Sequence, residues 1–153
     1  MVNDAIKWEA YSKAGNPEVD DATIEYIEQR ICHKLPVDYL KIAKTENGKR
    51  PIPGDIDVGK RSTVFTCLLT LRKDDDPSNN SLLASFKNND DRGDDIVPFA
   101  LAGGGSRFCF DYRQNKDNPI VVFDNSDFEI EDSRAIVYVA NSFTALLEKL
   151  YAE

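Results

Sequence analysis

The apolar residues of this chain change their spacing twice, and that change constrains the fold more than any other feature. From Asp20 to Ala43, and again from Phe143 to Leu150, they recur every three or four positions. That is the repeat of an α-helix with one buried face. Between Thr63 and Val139 they gather instead into short runs of β-branched and aromatic residues, the composition of buried strands. Helices first, strands next and a closing helix predict an α+β architecture with a mostly antiparallel sheet.

The individual elements follow from local chemistry. Asp20 or Asp21 can cap a helix that carries Ile24, Ile27 and Ile31 along one stripe. Leu35-Pro36 ends it, and Pro36 suits the start of a second helix that buries Tyr39, Leu40, Ile42 and Ala43. Asn47-Gly48 stops that helix in a left-handed turn. Strands are predicted over Thr63–Leu71, Ile96–Leu101, Arg107–Tyr112, Pro119–Phe123 and Ala135–Val139, with a short helix around Leu82, Leu83 and Phe86. Gly103-Gly104-Gly105 reads as a hairpin turn, because such turns need positive φ. A phosphate loop would instead lead into a helix. Asn141 or Ser142 caps the last helix. Before the Gly15-Asn16-Pro17 turn, Ile6 and Trp8 are expected on a short helix that packs Trp8 onto the body.

With 153 residues and 41% hydrophobic content, the chain reads as one domain, 1–153, without repeats or linkers. No stretch approaches the ~18 apolar residues of a membrane span. The first ten residues, with Asp4, Lys7 and Glu9, hold no apolar signal segment. Cys32, Cys67 and Cys109 are odd in number and lie in apolar surroundings, which suits reduced thiols. The expectation is a cytoplasmic protein that meets no membrane.

The net charge of −8 is concentrated. Residues 74–95 hold Asp74, Asp75, Asp76, Asp90, Asp91, Asp94 and Asp95 against Lys87 and Arg92. Residues 111–132 hold Asp111, Asp117, Asp124, Asp127, Glu129, Glu131 and Asp132 against Arg113 and Lys116. Each window nets −5, which leaves the rest of the chain at +2. Such charge disfavours direct nucleic-acid binding, since phosphate contacts need Lys and Arg. The runs can be solvated loops, a calcium site or a docking surface for a cationic partner. The alternating ligands of a calcium loop are missing, and no metal or cofactor is expected. Two windows of equal charge, both between strands, favour docking. The aromatic residues among the acids, Tyr112, Phe128 and Tyr138, are candidates for the apolar centre such a surface needs. Phe128 reads equally well as a loop anchor on the core. The proposed partner-binding set is Asp74, Asp75, Asp76, Asp90, Asp91, Asp94, Asp95, Asp127, Phe128, Glu129, Glu131 and Asp132.

Catalysis has few residues to work with. His33 is the only histidine, and its neighbour Cys32 points about 100° away on a helix, so they form no ready dyad. One histidine and three scattered cysteines do not make a zinc site. A hydrolase that uses two of the clustered aspartates remains the enzyme alternative.

Four motifs in order carry a resemblance: LPVDYLKIAKTENG from Leu35, IVPFALAGGGSRFCFDY from Ile96, PIVVFD from Pro119 and VANSFTALLEKL from Val139. Over residues 20–151 the chain resembles the SUKH superfamily, in its Smi/Knr-like branch. One departure is visible: Ser106 and Arg107 follow Gly105, where the family often has Asp or Asn. The resemblance implies two N-terminal helices, a central hairpin and a closing helix, and no catalytic residues. It also implies an immunity protein, or antitoxin, of the bacterial kind. Such a protein binds a cognate secreted toxin, frequently a nuclease, and occludes its basic active surface. The family's fungal members imply the alternative, a non-catalytic regulatory or scaffold adaptor.

Overall fold

The computed structural model describes residues 6–11, 18–74, 80–89 and 92–152. The Gly15-Asn16-Pro17 turn lies outside them, as do Asp75, Asp76, Asp90 and Asp91. The architecture is α+β. Six strands form one antiparallel sheet in simple sequence order: β3 (Asp55–Val58), β4 (Arg61–Leu68), β5 (Ile96–Ala102), β6 (Arg107–Asp111), β7 (Ile120–Asp124) and β8 (Ile136–Ala140). A separate two-stranded ribbon pairs β1 (Lys7–Glu9) with β2 (Arg50–Ile52). Among the described residues no helix is long and apolar enough to cross a membrane.

The ribbon corrects the expectation of an N-terminal helix. Ile6 and Trp8 are two residues apart, with Lys7 and Glu9 exposed between and beyond them, so the segment alternates with the period of a strand. Trp8 does reach the body, edge-on to Phe65 with ring centroids 6.4 Å apart. Neither β2 nor β3 was expected from the sequence.

Helix α1 (Asp21–Ile31) is capped by Asp20, whose carboxylate accepts from the Thr23 amide at 2.8 Å, and it buries Ile24, Ile27 and Ile31. It ends at Cys32 in the left-handed region, with φ of 60°. Helix α2 (Val37–Ala43) follows Pro36 and buries Tyr39 and Ala43. Gly48 turns the chain at φ of 74°, and the buried Asn47 side chain accepts from the Leu71 amide at 2.8 Å. The side-chain amide thus takes the place of a strand neighbour at the end of the sheet. Helix α3 (Leu82–Lys87) is capped by Ser81, and α4 (Phe143–Glu148) by Ser142. The Asp38 carboxylate accepts from the amide and hydroxyl of Thr144, both at 2.9 Å, and so joins α2 to α4.

Strand alternation divides the sheet into two faces. The inner face carries Phe99, Phe108, Phe110, Val121 and Phe123 into the main core beneath the helices. Tyr39 stands at its centre, edge-on to Phe99, Phe110 and Phe143 at 5.2–5.6 Å. Edge-to-face pairs of this kind contribute roughly 0.5–1.5 kcal/mol each beyond their buried area. The triple glycine forms a single 3-10 turn between β5 and β6, with positive φ at Gly104 and Gly105.

Candidate docking surface

The outer face of the sheet has a smaller apolar cluster of Ile96, Cys109 and Val122, with Ile120 and Ile136 beside it. Burial there pushes the Cys109 thiol well above its ordinary range. Register places Arg107 opposite Asp124, and Asp124 opposite Ile136, so the same face also carries charge. Asp124 is 2% exposed and uses both oxygens: Oδ1 accepts from Arg92 Nε at 2.8 Å, and Oδ2 from Arg107 Nη2 at 2.7 Å. Arg92 reaches in from the α3–β5 connection and donates further to the carbonyls of Asn125 at 3.2 Å and Phe128 at 2.7 Å. Arg107 also holds Ser85 and Asn89, and the Asn89 amide donates to the Ile96 carbonyl. Two connections far apart in sequence, one through Asn89 and Arg92 and the other through Asn125 and Phe128, are therefore fastened around one buried carboxylate.

The departure at the hairpin has a use within this arrangement. Ser106 is buried and accepts from the Ser126 amide at 3.2 Å, while Arg107 grips Asp124. Both residues after Gly105 thus secure the β7–β8 connection instead of meeting solvent.

The acids of the two windows fall into separate groups. Asp94, Asp127, Glu129 and Glu131 are exposed, and among the described residues none of them forms an ion pair. Asp95 is held by His33 Nε2 at 3.0 Å and by Lys116 at 3.3 Å. Asp132 is clasped by Arg134, whose hydrogen bonds hold its carboxyl down at about 2. Asp74 lies elsewhere, beside α1 and α3, and accepts from Arg72 at 2.9 Å. Asp111 and Asp124, counted in the acidic windows, are buried and paired, so their charge is answered inside the protein.

The aromatic candidates also separate. Phe128 is half-buried and belongs to neither core cluster; the Arg134 guanidinium covers its ring at 4.1 Å. Tyr138 projects from β8, 54% exposed, next to Val122 on the outer face. Tyr112 is corrected as an interface candidate. It is fully buried, stacks on His33 at 4.1 Å, and donates its hydroxyl to the Lys34 carbonyl. His33 is likewise held inside. Its Nε2 faces the Asp94 carbonyl and the Asp95 carboxylate, both acceptors, so that nitrogen carries the proton. Among the described residues no group of three His, Cys, Asp or Glu side chains could hold a metal ion.

Sequence reasoning counted Arg92 and Asp124 as surface charge and missed their pairing. For the Arg107 half of that cluster a signal was present in the strand alternation. Arg107, Cys109 and Asp111 share a face, as do Ile120, Val122 and Asp124, and antiparallel pairing sets Arg107 against Asp124.

No curated protein matches the chain. A family model, that of the SMI1 / KNR4 family (SUKH-1), matches residues 18–149.

Proposed function

Since the chain belongs to the SMI1 / KNR4 family (SUKH-1), we propose that it is a cytoplasmic, non-catalytic immunity protein. It binds a cognate secreted toxin, a nuclease with a basic active surface, and blocks access to that surface. The observation that carries this reading is the fastening of the two loops by Arg92. The exposed carboxylates of Asp94, Asp127, Glu129 and Glu131 are presented by segments already tied to the sheet. Docking onto pre-ordered loops loses less entropy than docking onto free ones. Complementary fields raise association rates by ~10–1000-fold at low salt. Phe128 and Tyr138 supply the apolar contacts that residence requires, because exposed charge pairs alone contribute little.

Asp95 and Asp132 belong to the proposed surface with less weight, since each already has a cationic partner, and Asp74, paired with Arg72, lies apart from it beside α1 and α3. Asp75, Asp76, Asp90 and Asp91 belong to it by sequence alone.

The test is co-expression with the toxin domain encoded beside this gene, scored for survival and for co-purification at two salt concentrations. The reading expects rescue and a complex whose association slows about tenfold or more when Asp94, Asp127, Glu129 and Glu131 are all converted to amides. Continued killing without a complex would overturn immunity for that pair. Rescue by a complex indifferent to salt and to the four substitutions would overturn the electrostatic mechanism alone. A stable partner that is not a toxin would assign the adaptor role.

A further inference from the structure

On the side where Asp74 lies, the chain builds a recess of opposite character. Tyr26 and Arg30 of α1 face Leu83 and Phe86 of α3 across an open cavity of about 320 Å³. Lys73 and Lys87 stand at its rim. Arg30 is held in place, its Nη2 donating to the Tyr26 hydroxyl at 3.1 Å and its guanidinium lying 4.4 Å from the ring centroid. The Lys73 ammonium lies 5.9 Å from the same centroid. Among the described residues neither Arg30 nor Lys73 has a carboxylate at ion-pair distance. Asp74, the acid that lines the recess among the described residues, is engaged by Arg72. Hydrogen bonds from Thr23 hold the Asp20 carboxyl below its ordinary range and occupy it, and the Lys73 charge adds a smaller push in the same direction.

A chain with net charge −8 thus keeps two cations over one aromatic ring, at the mouth of an apolar floor. Cation–π contact satisfies these groups only in part, and both residues are exposed. The geometry points to a second docking site, one that takes a short acidic segment of a partner protein. A carboxylate bridges Arg30 and Lys73, and an adjacent aromatic or aliphatic side chain rests on Leu83 and Phe86. Nucleic acid fits the same recess poorly. A polyphosphate needs a row of cations along its path, and this recess offers a compact cluster beside an apolar floor. The volume, at the low end for ligand sites, suits one anchoring side chain rather than a cofactor. This inference stands apart from toxin neutralisation and does not depend on it.

The experiment is an amide-resolved NMR titration of the full chain with a blocked Glu-Glu-Phe-Glu-Glu peptide. Saturable shifts are expected at Tyr26, Lys73, Leu83 and Phe86, with affinity at least about tenfold weaker when the probe's Glu residues become Gln or its Phe becomes Ala. Arg30→Glu combined with Lys73→Glu should abolish the shifts and leave the melting temperature nearly unchanged, because both side chains are exposed. Three outcomes would overturn the site: no shifts at millimolar peptide, equal binding of the Gln peptide, or saturable binding of oligothymidylate at these amides in place of the peptide.

Discussion

Asp124→Asn tests the load carried by the buried cluster, because it keeps the shape of the side chain and removes the charge. The carboxylate accepts two charge-assisted hydrogen bonds, at 2.8 and 2.7 Å. Bonds to charged groups contribute roughly 1.5–3 kcal/mol each. The amide oxygen can still accept from one arginine, but the amide nitrogen then faces the other, donor against donor. Arg107, with a side chain 19% exposed, can relax toward water. Arg92, at 5%, cannot. Breaking a buried pair by removing one partner costs about 3–5 kcal/mol, and the partial relief at Arg107 places this case near the lower end, at about 3 kcal/mol. With an m-value of about 2 kcal/mol/M, the urea midpoint should fall by about 1.5 M with no change in slope. A fall below about 0.5 M would refute the assignment of Asp124 as the anchor of both arginines. The companion variant Arg92→Met/Arg107→Met/Asp124→Leu removes all three charges together, and apolar replacement of a whole buried ion cluster is often near neutral. It should recover most of the stability yet still show fast amide exchange over residues 125–134, since the carbonyls of Asn125 and Phe128 lose their donor.

Three other substitutions probe different physics. The Tyr39 hydroxyl is fully buried with no hydrogen-bond partner among the described residues, so Tyr39→Phe should leave thermal stability unchanged or raise it by up to ~1 kcal/mol; a loss beyond ~1 kcal/mol would reveal a hidden acceptor. Cys32 holds φ at 60°, where a side chain is strained, so Cys32→Gly should stabilise by roughly 0.5–1 kcal/mol, a rise in Tm of a few degrees, and a lower Tm would contradict it. Asp132 titrates at about 2 in the folded chain against an ordinary 3.8, chiefly through its hydrogen bonds from Arg134. A lowered folded-state pKa means that the contribution is whole above pH ~4 and lost as pH falls toward ~2. The stability difference between wild type and Asp132→Asn should therefore be flat at neutral pH and vanish across that interval; a difference that persists at pH 2 would rule the pairing out.

The helices and the meander were legible because each is written in local pattern. Ile24, Ile27 and Ile31 repeat at helical spacing, and Asp20, Ser81 and Ser142 each precede a helix whose first free amides they accept. The ribbon was not legible. Three residues around Trp8 are too few to show alternation, and their partner lies more than forty positions away at Pro51. The proposed surface was half legible. Charge density could be counted along the chain, but which carboxylates face water depends on partners distant in sequence. Asp124 disappears inside because Arg92 arrives from the α3–β5 connection and Arg107 from β6, and Asp95 is shared by His33 and Lys116. Phe128 and Tyr112 were both candidates among acidic neighbours, Tyr112 at the end of a predicted strand and Phe128 outside any. The strand phase of β6 and the reach of α1 decided that Tyr112 goes under His33.

The joining of α2 to α4 has a consequence for how the chain is made. The meander adds each strand beside the one before it, so hairpins can form as they leave the ribosome. The core they share stays open until much later. Tyr39 is covered by Phe143, Asp38 is answered by Thr144 more than a hundred residues downstream, and the edge of β3 is bridged by Tyr151. At ~5–20 residues per second, that separation means roughly 5–20 s in which Asp38 and Tyr39 wait for the residues that answer and cover them. A product truncated before α4 would leave the aromatic row of Phe99, Phe110 and Tyr39 without the cover of Phe143.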